Sequence, residues 1–271
     1  MRALTVGWVL ALCMVALAPI SWHVISSLKS SDEIVRLPPT LIPESPTVAN
    51  YEELFARRPF IRYAVNSFVI ASLSSVLCVF SASLAAYRLA RGSARFRFTV
   101  TSGLLALAFL PPIVFLFPLY ELVRLAGMVN HPWSLIVAYA GLNTPMAVWL
   151  LTGYFEKLPL ELEEAAAIDG LNAWQTFLRI ILPLSTPALV SAIVLVFVFS
   201  WNEFMLALTF ISSEQAKTIT LGVSTLSGAL AYDIPYGLIA AGVVASSAPL
   251  IVLVLFFQRR IVAGLTAGSI K

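Results

Sequence analysis

ELEEAAAIDGLNAWQTFLRIILPLSTPAL, running from Glu161 to Leu189, interrupts a chain that is otherwise mostly apolar. Five acids fall between Glu156 and Asp169, and Pro183 and Pro187 close the segment. Its local chemistry predicts two short helices on a joint. Glu161, Glu163 and Glu164 sit where the positive end of a helix dipole favours acids, with Pro159 suited to the first turn. Ala165 to Ala167 keep this arm slim, so a partner could approach its backbone closely. Gly170 fits the left-handed stop that ends helices. Asn172 with Gln175 makes a capping pair that restarts the chain, and Trp174, Phe177, Leu178 and Ile181 recur at helical spacing. The product is an elbow, acidic on one arm and apolar on the other.

The flanks decide what the elbow interrupts. Of 271 residues, 59% are hydrophobic and 11% charged, with a mean hydropathy of +0.91. A soluble domain carries about 25% charged residues, so the composition is that of a membrane protein. The net charge of +3 is spread over loops without a run of like charges, which argues against a nucleic-acid surface. Segments of roughly the 20 apolar residues needed to cross a bilayer fall at about 4–27, 64–87, 99–122, 133–152, 188–211 and 236–257. None alternates with period two, so six helices rather than a lipid-facing barrel are expected. The first segment begins like a secretory signal, but its apolar character runs on through Trp22, Val24 and Ile25, which favours an uncleaved helix. The expectation is an all-α membrane protein with one transmembrane domain over residues 1–271.

Loop charges orient it. RLARGSARFRF (88–98) holds Arg88, Arg91, Arg95 and Arg97 without an acid, and Arg259 and Arg260 follow the last span. Both belong on the cytoplasmic side, which places both termini and residues 156–183 there too. An amphipathic helix on the lipid surface is usually basic, whereas 156–179 has five acids and two basic residues, so a protein partner is favoured. The long outer loop contains a proline-stiffened stretch, PPTLIPESP (38–46), and then Asn50 and Glu53 in a capping-box pattern. They predict a short helix over about 51–58, either packed over the bundle or free to dock an outside partner. Gly237, Ala241 and Ala245 predict close helix packing. Cys13 and Cys78 lie in apolar runs, and His23 and His131 stand alone, so neither a disulfide framework nor a metal site is expected.

At the elbow the sequence resembles a known family. Glu164-Ala165-Ala166, Gly170, then Ile180, Leu182 and Pro183 reproduce the EAA–G–I–LP signature of bacterial ABC-importer permeases. NYEELF (50–55), NSF (66–68), SWNEFMLALTF (200–210) and QRRIVAGLTAGSIK (258–271) are similar to its carbohydrate, maltose-permease-like branch, and the tail resembles trehalose-type permeases of actinobacteria. The resemblance implies a type I importer permease fold of six transmembrane helices, with 156–183 as a cytoplasmic coupling segment docking into a separate ATPase subunit. Glu163, Glu164, Ala165, Ala166, Asp169, Gly170, Trp174, Phe177, Ile180, Leu182 and Pro183 are the implied coupling residues. Gly264, Gly268 and Lys271 are implied as a second ATPase contact through the tail. The implied partners are a second, non-identical permease, two ATPase subunits, an extracellular or periplasmic sugar-binding protein, membrane lipid and the sugar. ATP and Mg would be bound by the ATPases, with no cofactor in this chain.

The sequence itself contains no G-x-x-x-x-G-K-[ST] phosphate loop, so it supplies no nucleotide hydrolysis through that motif. It also shows no nucleophile–base constellation, and a noncatalytic subunit is expected. Glu203 is the plainest intramembrane charge, and such a residue defaults to facing a cavity or a partner. With Trp201, Asn202, Asn143 and Asn66 it forms the candidate sugar path, since sugars need polar groups and aromatic faces in an apolar cavity. A stand-alone secondary transporter is the alternative. It would favour several intramembrane carboxylates or inverted, broken-helix halves.

Overall fold

The computed structural model describes residues 2–226 and 234–267. Among the described residues every regular element is helical. In chain order these are α1 (Arg2–Ser27), α2 (Ser31–Ile34), α3 (Ala49–Arg57), α4 (Phe60–Ala90), α5 (Ala94–Ala108), α6 (Ile113–Leu125) and α7 (Pro132–Phe155). There follow α8 (Glu161–Ile168), α9 (Ala173–Thr176), a π-helical turn (Phe177–Ile181), α10 (Leu182–Leu184), α11 (Thr186–Asn202), α12 (Met205–Phe210), a 3-10 turn (Glu214–Ala216), α13 (Ile219–Ser224) and α14 (Tyr236–Ala267).

Among the described residues four stretches are long and apolar enough to cross a membrane: Thr5–Ser27, Phe60–Ala90, Pro132–Phe155 and Tyr236–Gln258. The expected third span is not one straight helix. α5 and α6 meet at 88°, because Pro111 and Pro112 remove two backbone donors and disfavour helical geometry in the residue before each. The expected fifth span, 188–211, is also interrupted. α11 stops at Asn202 and Glu203 adopts extended backbone, φ −69 and ψ 134. A second bend of 77° separates Ala173–Leu184 from α11. Among the described residues the number of spans is thus four to six, and reaches six only when each bent pair is one span.

The chain forms two compact units, Met1–Val65 with Lys217–Val252, and Asn66–Ala216 with Leu253–Lys271. In the first, α3 begins one residue before Asn50, so the expected capping box is not made. Val48 occupies the N-cap without a side-chain bond. Asn50 is instead buried and donates to the carbonyls of Ser27 (2.9 Å) and Lys29 (2.8 Å), tying α3 to the end of α1. Gly237 is the small residue that admits this, since a Cβ there would lie 2.5 Å from Asn50 Oδ1. The close packing expected of the 237/241/245 stripe is therefore real at Gly237 and at Ala241, which is fully buried. The 28–48 loop is held by buried Lys29, which donates to the Thr40 carbonyl and lies over the Trp22 ring, and by Glu33, which accepts from Thr40 Oγ1 (2.6 Å) and the Glu44 amide (3.0 Å).

The second unit carries the larger core. Ala82 and Ala86 of α4, Ala140 and Ala147 of α7, and Ala188 and Ala192 of α11 are all buried, and small residues let helix backbones approach where lipid supplies no hydrophobic drive. Phe155, Phe177 and Ile181 fill one end of the same cluster. Buried serines satisfy themselves: Ser185 Oγ donates to the Ile181 carbonyl (2.7 Å), and Ser74 bonds both the Ala71 carbonyl and Ser200 of α11 (3.1 Å each). The helices bracketing the elbow, α7 and α11, pack directly on each other.

Candidate functional site

The elbow forms as its sequence dictates, with small shifts. α8 starts at Glu161, two residues after Pro159, and its first turn holds Glu161, Glu163 and Glu164. Its end is a complete Schellman motif: the Gly170 amide donates to the Ala167 carbonyl (3.1 Å) and the Leu171 amide to that of Ala166 (3.0 Å). Gly170 has φ +81, a conformation that a side chain opposes. Asn172 and Gln175 then close a reciprocal capping box, each bond 2.9 Å. Pro183 has no amide to offer the Arg179 carbonyl, and the turn ahead of it opens to π geometry, the Leu182 amide reaching back to Phe177.

Above this elbow lies the basic turn between α4 and α5. Arg91 Nε donates to Glu163 Oε1 at 2.6 Å, its Nη1 to the Phe155 carbonyl (3.0 Å) and its Nη2 to the Leu158 carbonyl (3.3 Å). Arg97 pairs with Glu156 at 2.5 Å. The loop assigned to the cytoplasmic side by charge and the segment expected there by alternation of the spans therefore meet. An open groove of about 610 Å³ lies between them, lined by Tyr87, Arg88, Arg91, Glu163, Trp174 and Phe177. Trp174 stacks on Phe177 (6.0 Å, 27°), and Phe177 lies 5.2 Å from the Tyr87 ring.

The residues expected to couple do not all face one way. Glu164, Ala165, Asp169 and Gly170 are exposed, Trp174 is half exposed, and Pro183 is exposed. Ala166 and Phe177 are buried and Glu163 is turned to Arg91, so these three support the elbow from within. Ile180 and Leu182 are partly buried. Sequence reasoning passed over Ile168, which projects from the tip at 87% exposure; an isoleucine at the end of an otherwise acidic, alanine-rich arm was the available signal. Of the tail residues, Gly264 falls within α14, and Gly268 and Lys271 lie outside the described residues.

Of the candidate sugar-path residues Trp201, Asn202 and Glu203 lie at the α11–α12 break, and all five are already engaged. Glu203 accepts from the amides of Leu206 (2.8 Å) and Ala207 (3.2 Å) and from Tyr139 Oη (2.7 Å), so its carboxylate caps α12 and ties it to α7. Trp201 is buried and stacked on Phe197 (5.7 Å, 25°). Asn143 and Asn202 donate to carbonyls four residues back, and Asn66 donates to the Gln215 carbonyl (2.9 Å). Asn143 also edges an apolar crevice with Met146, Leu150 and Phe199. Tyr139 was missed; a tyrosine inside a span needs a partner for its hydroxyl, and Glu203 was the conspicuous acceptor. Among the described residues no cluster of three metal-ligating side chains occurs.

Comparison with known proteins places these features. Residues 63–266 match the family model of the binding-protein-dependent transport system inner membrane component. The chain is 36% identical to the sulfoquinovosyl glycerol transport system permease protein SmoH of Agrobacterium fabrum, over 94% of this chain and 89% of that one. It is 35% identical to the trehalose transport system permease protein SugB of Mycobacterium tuberculosis (94% and 93%) and to the trehalose/maltose transport system permease protein MalG of Thermococcus litoralis (100% and 97%). Its fold matches a chain of a bacterial ABC transporter that imports alginate, with a TM-score of 0.79 at 19% identity over 95% of both chains. A second crystal structure, of an alginate ABC transporter in complex with its alginate pentasaccharide-bound periplasmic protein, matches at a TM-score of 0.65 and 18% identity, over 96% and 94%.

Proposed function

Because this chain belongs to the family of binding-protein-dependent transport system inner membrane components, we propose that it is the permease subunit of an ATP-driven importer of a small sugar, a disaccharide such as trehalose or a maltose-like sugar. It forms the translocation path with a second, non-identical permease, receives sugar from an external binding protein, and leaves ATP and Mg to two separate ATPase subunits. The sugar class is supported by the names of the relatives, two of which transport trehalose.

The observation that carries the coupling role is the elbow itself: two short helices locked by a Schellman motif and a capping box, with Glu164, Ile168 and Asp169 presented outward. Backbone groups satisfied at both ends of the joint make it stiff enough to pass on a push. We place it and both termini in the cytoplasm, and the ion pairs that join it to the arginine-rich turn support that side. Glu203, engaged by three donors, serves the path by holding the α11–α12 break rather than by binding sugar.

Reconstitution with the second permease, the ATPase and the binding protein tests this. Trehalose or maltose should stimulate ATP hydrolysis and enter proteoliposomes. Absence of uptake for either, with uptake of an unrelated solute class, would reject the sugar assignment.

A further inference from the structure

Arg91 is placed to do more than mark the cytoplasmic side. It stands just past the end of α4, and its guanidinium reaches three acceptors on other elements: Glu163 on the acidic arm, and the carbonyls of Phe155 and Leu158 at the end of α7. Tyr87, one turn back on α4, lies 5.8 Å from the guanidinium carbon and backs it. The Arg91 and Glu163 side chains are 17% and 24% exposed, so solvent screens the pair less than a surface one. The capped Gly170 joint stiffens one end of the arm, but the other end joins α7 through the irregular turn at Leu158–Leu160. A push on the arm would be taken up at that turn unless something else fixes it.

We propose that Arg91 is a positioning residue for coupling, a strut that makes α8, the end of α7 and the end of α4 move as one body. The inference rests on the coupling role of the elbow. A guanidinium suits it because its donors form a rigid planar fork that fixes an angle as well as a distance, whereas a lysine is a single point charge on a flexible stem. Arg97 and Glu156 join α5 to the end of α7 without touching α8, so they do not replace it.

The test is the number of ATP molecules hydrolysed per sugar imported by the complete complex in proteoliposomes. In Arg91→Ala this ratio should rise about tenfold, within the range of typical allosteric couplings. Arg91→Lys should not restore it. Glu163→Ala in the Arg91→Ala background should add no further change, because both remove one strut. A wild-type ratio in Arg91→Ala overturns the proposal, as do single-variant effects that multiply in the double variant. Recovery of the complex with bound ATPase separates coupling from assembly. If Arg91→Ala fails to assemble, Glu163→Gln, which keeps the acceptor oxygen, should show a smaller rise, and a wild-type ratio there overturns the strut. A Glu164→Arg variant that stays fully coupled would reject the elbow's role itself; loss of coupling there with a normal Arg91→Ala ratio rejects only the strut.

Discussion

The elbow at 156–185 and the break at 203–204 both interrupt apolar helices with acids, and they use those acids in opposite ways. At the elbow, Glu164 and Asp169 face out while Glu163 pairs with Arg91 and Glu156 with Arg97. At the break, the lone carboxylate of Glu203 is spent on its own neighbours, two amides and a tyrosine hydroxyl. The difference follows from what each stretch must satisfy. The elbow's free backbone groups are closed by Gly170, Asn172 and Gln175, which leaves Glu164 and Asp169 available. α12 has no Ser, Thr, Asn or Asp at its N-cap, so Glu203 takes that part. An acid inside a membrane protein is thus not by itself a sign of a ligand.

The variant expected to damage function most is Gly170→Pro. Proline holds φ near −65°, against the +81° observed, and removes the amide that bonds the Ala167 carbonyl, so the joint should be lost at a cost of about 3 kcal/mol or more and uptake abolished. Normal uptake would show that the joint is dispensable. Next, Glu164→Arg should reduce uptake about tenfold with a stability loss of no more than about 1 kcal/mol, the worth of a first-turn acid on an exposed helix; a larger loss would mean that it, too, is internally engaged. Glu203→Ala should behave in the reverse way, lowering stability by about 2 kcal/mol in detergent because charged hydrogen bonds are lost and donors orphaned. Unchanged stability with lost sugar uptake would return Glu203 to the sugar path. Asn172→Ala should cost about 1 kcal/mol, the usual worth of an N-cap, read as faster hydrogen exchange at the Gln175 amide.

The smallest effect concerns the outer loop. Glu33 is held below its ordinary value of 4.5, first by the Thr40 hydroxyl and then by the Glu44 amide, with Lys29 adding attraction. A depressed carboxylate binds fewer protons folded than unfolded, so its contribution is complete above the unfolded value and fades as pH falls below 4.5. The gap in melting temperature between wild type and Glu33→Gln should be open at pH 7 and close in acid. A gap that widened in acid would reverse the sign.

How much was legible follows the same division. Gly170, Asn172 and Gln175 were readable because each acts on a backbone group within five residues, so spacing alone specifies the partner. Asn50 was misread for the complementary reason. Its position before Glu53 fits a cap, yet its side chain bonds carbonyls 21 and 23 residues away. The Pro111–Pro112 bend was visible as two prolines but not as an 88° change of direction, since proline forbids a helical bond without fixing what replaces it.

By itself, then, the sequence determined the apolar helical architecture, the jointed elbow and the arginine-rich turn, because hydropathy, capping and charge bias are local or additive. Only the tertiary structure decided that Arg91 holds Glu163, that Tyr139 meets Glu203, and that Asn50 lies buried against Gly237. Those pairings join residues 64 to 187 positions apart in the chain, and no propensity of either partner says where the other will be. Packing of the whole chain brings them together.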